Sequence, residues 1–123
     1  MTPFGDRMRK LRSERGITLK EMAEALGVSS AYLSALEHGK RGRPGWHLIQ
    51  RILAYFNIIW DEADEVVRLA RISHPRITID TSGLDPKATE LANRLADEIG
   101  KLDATTLDEL LSTLSRKRQR ARG

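Results

Sequence analysis

Between Ser29 and Arg43 the sequence sets a run of small side chains next to a short cluster of cations. On a helical wheel, Leu33 and Leu36 point one way, with Ser29 and Glu37 on their flanks. The opposite face holds Ser30, Ala31, Ser34, Ala35 and His38, and it contains no acid. An ordinary solvated helix face carries Lys and Glu. A lean face lets the backbone approach a groove, where Ser hydroxyls can meet base edges and Ala methyls can meet thymine methyls. Tyr32 falls between the two faces, within reach of a phosphate. The helix start at Ser29 offers unpaired N–H groups and the positive end of a dipole, both suited to phosphate oxygens. The basic run Lys40-Arg41-Gly42-Arg43 follows at once. Together these residues have the chemistry of a surface that meets a polyanion.

Other chemistries find little support. There is no cysteine, so disulfides and thiolate metal sites are excluded. His38, His47 and His74 stand in unrelated contexts without metal-ligand spacing. No glycine-rich phosphate loop follows a strand, no nucleophile motif occurs, and the acids are spread over helix surfaces. No catalytic residue, metal or cofactor is expected. The net charge of +4 is unevenly placed. Residues 1–57 carry ten Lys/Arg against five Asp/Glu, residues 77–115 carry three against eight, and residues 116–123 carry five basic residues and no acid. A basic folded unit beside an acidic one implies that the first faces the polyanion.

The elements that must position this surface read as helices. Phe4, Met8 and Leu11 recur at helical spacing over residues 4–15, and Gly16 ends that helix. Thr18 and Glu21 form a capping box for a second helix with Met22, Ala23 and Leu26 inward, stopped by Gly27. Ser29 caps a third helix running to about His38. The pair joined at Gly27-Val28-Ser29 has the helix-turn-helix design, whose second helix lies in the DNA major groove. Trp46, Ile49, Ile52, Leu53 and Phe56 mark a fourth helix. A fifth runs from Asp61 to Ile72, with Val66, Val67 and Ala70 inward.

Residues 4 to about 70 resemble the Xre/Cro/C1-type helix-turn-helix family of bacterial and phage regulators. The resemblance rests on Leu11-Arg12, the Gly16 turn, Thr18-Leu19-Lys20-Glu21-Met22-Ala23, Gly27-Val28-Ser29, Tyr32-Leu33-Ser34-Ala35-Leu36-Glu37-His38-Gly39, and the spacing to Pro44 and the Trp46–Phe56 helix. It implies a five-helix, lambda-repressor-like domain. It also implies a structural salt bridge between Arg12 and Glu37, with Thr18 and Lys20 near the DNA backbone and Ser30, Ala31 and Ser34 facing bases. The Lys40-Arg41-Gly42-Arg43 loop would follow a phosphate strand or enter the minor groove. Two departures stand out. Long bidentate base readers are missing from the third helix, which shifts specificity toward DNA shape, the basic loop and half-site spacing. Ile58-Ile59-Trp60 replaces the usual polar cap of the fifth helix; it packs either in the core or against C-terminal helices or a second subunit.

Beyond Pro75, Arg76-Ile77-Thr78-Ile79-Asp80-Thr81 alternates apolar and polar residues. It reads either as a short strand pairing with a second subunit or as an extended linker. Asp85-Pro86 starts a helix carrying Ala88, Leu91, Leu95, Ile99 and Leu102, and Asp103 caps another with Leu107, Leu110, Leu111 and Leu114. These stripes either fold back on the first domain or meet their counterparts in a dimer. The expected organisation is thus all-α. A helix-turn-helix domain spans residues 1–74, a short extended segment plus helical hairpin for dimerisation spans 75–115, and a flexible basic tail spans 116–123, which binds phosphate, binds a partner or solubilises the end. The sequence-based function is a sequence-specific transcription regulator, a repressor by default, that binds palindromic double-stranded DNA as a homodimer. The competing reading is a protein-interaction module such as an antitoxin or anti-activator. The C-terminal part is too small and aliphatic for a sizeable small-molecule pocket. No signal peptide or membrane-length apolar run is seen, so a cytoplasmic, nucleoid-associated location is expected.

Overall fold

The computed structural model describes residues 1–122, and these form helices without a strand. The helices are α1 (Pro3–Arg15), α2 (Leu19–Leu26), α3 (Ser30–Glu37), α4 (Trp46–Phe56), α5 (Trp60–Arg71), α6 (Pro86–Glu98) and α7 (Ala104–Arg122), with a 3₁₀ turn at Ile99–Lys101 before α7. Contacts divide the chain into two compact units, Met1–Ile77 and Thr78–Gly123.

In the first unit the expected stops at Gly16 and Gly27 and the expected Thr18 cap act as the sequence implies, and the structure adds a start signal for α1. Thr2 caps α1, with Pro3 at its first position, and Gly16 ends it in the left-handed region at φ 64°. The Thr18 hydroxyl accepts the Glu21 N–H at 3.1 Å, and Gly27 ends α2 at φ 73°. The core is aliphatic with one aromatic from each of α1 and α4: Phe4, Met8 and Leu11 of α1 meet Met22 and Leu26 of α2, Leu33 and Leu36 of α3, Ile52 and Phe56 of α4, and Val66 and Ala70 of α5. Ser73 closes the unit. Its buried hydroxyl accepts the Phe4 N–H at 2.9 Å and donates to the Leu69 carbonyl, tying the end of α5 to the start of α1.

One expectation in this unit is corrected. Trp46 is not part of the inward stripe of α4; it is 63% exposed, and Leu48 takes the buried position. The apolar triplet before α5 splits: Ile58 enters the core, while Ile59 and Trp60 stay exposed. Trp60 sits at φ 56°, a left-handed conformation that a bulky side chain adopts only at a cost of about 1–2 kcal/mol.

The second unit differs in kind. None of its described residues is buried. Asp85 and Asp103 cap α6 and α7 as expected, each accepting a backbone N–H at 2.8 Å. Ala88, Ala92, Leu95, Leu102 and Leu107 are half-buried, but Leu91, Ile99, Leu110, Leu111 and Leu114 of the two apolar stripes remain exposed in the single chain. Within the single chain, residues 76–81 form no strand and run as irregular backbone. The Asp80 carboxylate accepts the Ser82 N–H at 2.9 Å and the Thr81 carbonyl accepts the Leu84 N–H at 3.1 Å, so local turns lead out of the segment. The last helix continues past Ser115 through Arg122, where the sequence implies a frayed tail. Gly123 and the side chains of Gln119, Ala121 and Arg122, parts of that tail, lie outside the described residues.

Candidate nucleic-acid interface

The position of α3 is set by a buried ion pair. The Arg12 guanidinium meets the Glu37 carboxylate with both forks, Nη1 to Oε2 and Nη2 to Oε1, the second at 3.1 Å. The side chains are only 11% and 2% exposed. A bidentate pair fixes direction as well as distance, so it clamps the end of α3 to α1. Nη1 also lies 3.8 Å from the Met22 sulfur on α2, so all three helices converge here. The Glu37 carbonyl accepts from the Thr2 N–H at 3.1 Å and the Thr2 hydroxyl at 3.3 Å. Gly5 lies directly against that carbonyl, and any Cβ there would collide with it. The family resemblance implied the ion pair; the Thr2 and Gly5 contacts came without a signal, because they depend on how closely two distant segments approach.

At the other end, Ser29 caps α3 by accepting the Tyr32 N–H at 3.0 Å. Gly27, Val28 and Ser29 make the tight turn from α2. Arg51 of α4 reaches the Leu26 carbonyl at 2.8 Å and so holds this turn from below. With both ends fixed, α3 leaves Ser29, Ser30 and Ala31 exposed and Ser34 and Ala35 half-buried. Tyr32 is also half-buried, its side chain packed against the core. The lean face is therefore open over its first turn and narrower over its second. His38, at the end of α3, is exposed and its Nδ1 lies 2.8 Å from the Ser34 carbonyl.

The basic loop after α3 is held rather than loose. The Lys40 N–H reaches the Ala35 carbonyl at 2.8 Å. Gly39, at φ 80°, is flanked by Thr2 and Pro75, and Pro44 is buried. Lys40, Arg41 and Arg43 project into solvent, and none forms an ion pair among the described residues. Trp46, which sequence periodicity placed inward, instead lines a surface hollow with Arg43, Pro44 and Gly45. Thr18 and Lys20 at the start of α2 are exposed, but the Thr18 hydroxyl is occupied on both sides, accepting from the Glu21 N–H and donating to its carboxylate at 3.2 Å. That leaves Lys20 as the available group there. No helix of the described residues is long and apolar enough to cross a membrane.

The helix-turn-helix domain family matches residues 3–66 of the chain. Over 61 residues, half of this chain, it is 38% identical to the HTH-type transcriptional regulator RghRB of Bacillus subtilis (strain 168), itself uncharacterized, covering 44% of that protein. It is also 38% identical over 61 residues, again half of this chain, to the HTH-type transcriptional repressor RghR of the same organism, covering 45% of that protein. Over 66 residues it is 31% identical to the HTH-type transcriptional regulator SinR of Bacillus licheniformis, covering 50% of this chain and 60% of that protein. The match thus spans less than half the length of the first two relatives.

Proposed function

The chain belongs to the helix-turn-helix domain family, matched over residues 3–66, and on that premise we propose that it is a sequence-specific DNA-binding transcription regulator. The observation that carries this reading is the exposed, acid-free first turn of α3, followed in the same unit by three solvent-facing cations without ion-pair partners. In this reading α3 enters the major groove. Ser30, Ala31, Ser34 and Ala35 face base edges, and Ser29, Tyr32 and the start of α3 meet phosphates. Lys20, with Thr18 behind it, lies along the backbone, while Lys40, Arg41 and Arg43 follow a phosphate strand. The Arg12–Glu37 pair has a structural role: it neutralises a carboxylate that would otherwise repel DNA.

The chain acts as a homodimer through the exposed leucines of the second unit, on a palindrome with half-sites about 34 Å apart or a multiple of that. Repression is the simplest outcome of such binding, and one curated relative carries the name of a repressor. The protein would work in the cytoplasm, at the nucleoid.

Selection of bound duplexes from a random pool, followed by footprinting, tests the reading. A palindromic consensus supports it, and recovery of no consensus overturns it. Within that experiment, Ser30→Ala or Ser34→Ala should change base preference more than affinity, whereas Arg43→Ala should weaken binding to all sequences and lower the salt dependence by about one phosphate contact.

A further inference from the structure

The proposed groove contacts leave the C-terminal end of α7 unused. After Glu109 the chain carries no acid, and Arg116, Lys117, Arg118 and Arg120 follow within a single helix, so four cations lie within about 6 Å of helix length. All four are exposed, and none is in an ion pair among the described residues; Arg116 makes only a 3.1 Å hydrogen bond to the Thr113 hydroxyl. The contrast within the same unit is Arg94 on α6, held between Glu90 at 3.7 Å and Glu98 at 3.1 Å. Their helical spacing distributes the tail cations around the axis. Arg116 and Arg120 share one side as an i,i+4 like-charge pair, Lys117 lies about a quarter-turn on, and Arg118 falls in line with the leucine stripe. Like charges at that spacing repel, although the helix C-terminus favours cations in general. A partner bearing many anions relieves the repulsion; a single carboxylate does not.

We propose that the basic end of α7 is a second polyanion-binding site that takes the phosphate backbone of duplex DNA without regard to base sequence. The proposal rests on the DNA-binding reading of the first unit, since covalent connection to a DNA-bound domain raises the local concentration of phosphates around this segment. Nucleic acid is favoured over an anionic membrane by the make-up of residues 115–122: none of them is a large apolar residue, so the cationic segment itself lacks the apolar face that interfacial helices insert.

The test uses the full chain with Arg116→Gln, Lys117→Gln, Arg118→Gln and Arg120→Gln together, since Gln keeps helix propensity while removing charge. Binding of a random-sequence duplex is measured by fluorescence anisotropy at stepped salt, beside vesicles of phosphatidylcholine with phosphatidylserine. The expected result is an affinity for the duplex about ten-fold or more weaker at low salt, with the salt slope reduced by about three to four per bound protomer. A companion variant with Arg116→Lys, Arg118→Lys and Arg120→Lys retains the wild-type slope, because phosphate attraction here depends on charge and not on guanidinium geometry. An unchanged duplex affinity in the Gln variant overturns the proposal, as does loss of vesicle binding with duplex binding intact. Base selection by wild-type protein reports separately on α3: its absence with the tail effect intact defeats only the major-groove reading.

Discussion

The two units of this chain reach helical structure by opposite routes. Met1–Ile77 encloses a core drawn from all five of its helices, with a buried ion pair at the point where α1, α2 and α3 meet. Thr78–Gly123 has equally clear caps and equally regular leucine spacing, yet buries no described residue. Amphipathic periodicity says that a stripe needs a partner, not that the chain supplies one. In the first unit the stripes converge on each other. In the second, Leu91, Leu110, Leu111 and Leu114 stay open, and an isolated helix pair with so little burial has small tertiary stabilisation of its own. The same residue pattern therefore means a finished core in one region and an unfinished one in the other.

This contrast can be broken most decisively at the ion pair. Arg12→Ala leaves the Glu37 carboxylate buried without its partner, and we expect the first unit to lose about 3–5 kcal/mol of stability in denaturant unfolding. Little change would mean that the pair is not the clamp described above. The converse test lies in the second unit. Leu111→Asp with Leu114→Asp should leave the unfolding midpoint of the first unit in place while turning the proposed dimer into a monomer in sedimentation. A dimer that survives the change would show that the open leucines are not what holds two copies together.

A smaller effect probes the α2–α3 turn. Ser29→Ala removes the cap on α3 and should cost about 1 kcal/mol, read as a lower midpoint at constant m-value. The smallest effect concerns acid. Hydrogen bonds from the Thr106 side chain and then from its backbone N–H hold the Asp103 carboxyl below its ordinary value. Its contribution is thus fully present above the unfolded aspartate value and is lost as the pH falls through the lower folded one. Acidification through that window should reduce α7 helicity by circular dichroism, and Asp103→Asn should remove that component.

The lean face of α3 was legible in the sequence because its residues lie within two turns of one helix, where spacing alone assigns the face. Trp46 was misassigned by the same reasoning. It shares the helical spacing of Ile49, but at the first position of α4 it lies beyond the edge of the core. Residues 76–81 form no strand within the described chain for a related reason. Alternation describes a segment able to join a ladder, and no second segment of this chain offers one.

Local chemistry, then, was written into the order of the residues. The caps at Thr18, Ser29, Asp85 and Asp103, the stops at Gly16 and Gly27, the acid-free face of α3 and the segregation of charge all follow from neighbours within a few positions. Tertiary structure alone decided which stripes found partners, that Gly5 must lie bare against the Glu37 carbonyl, that Ser73 ties α5 to α1, and that Ile58 enters the core while Trp60 remains outside. Those outcomes depend on distances between residues far apart in the chain, and burial is settled by what arrives from elsewhere, not by the segment itself.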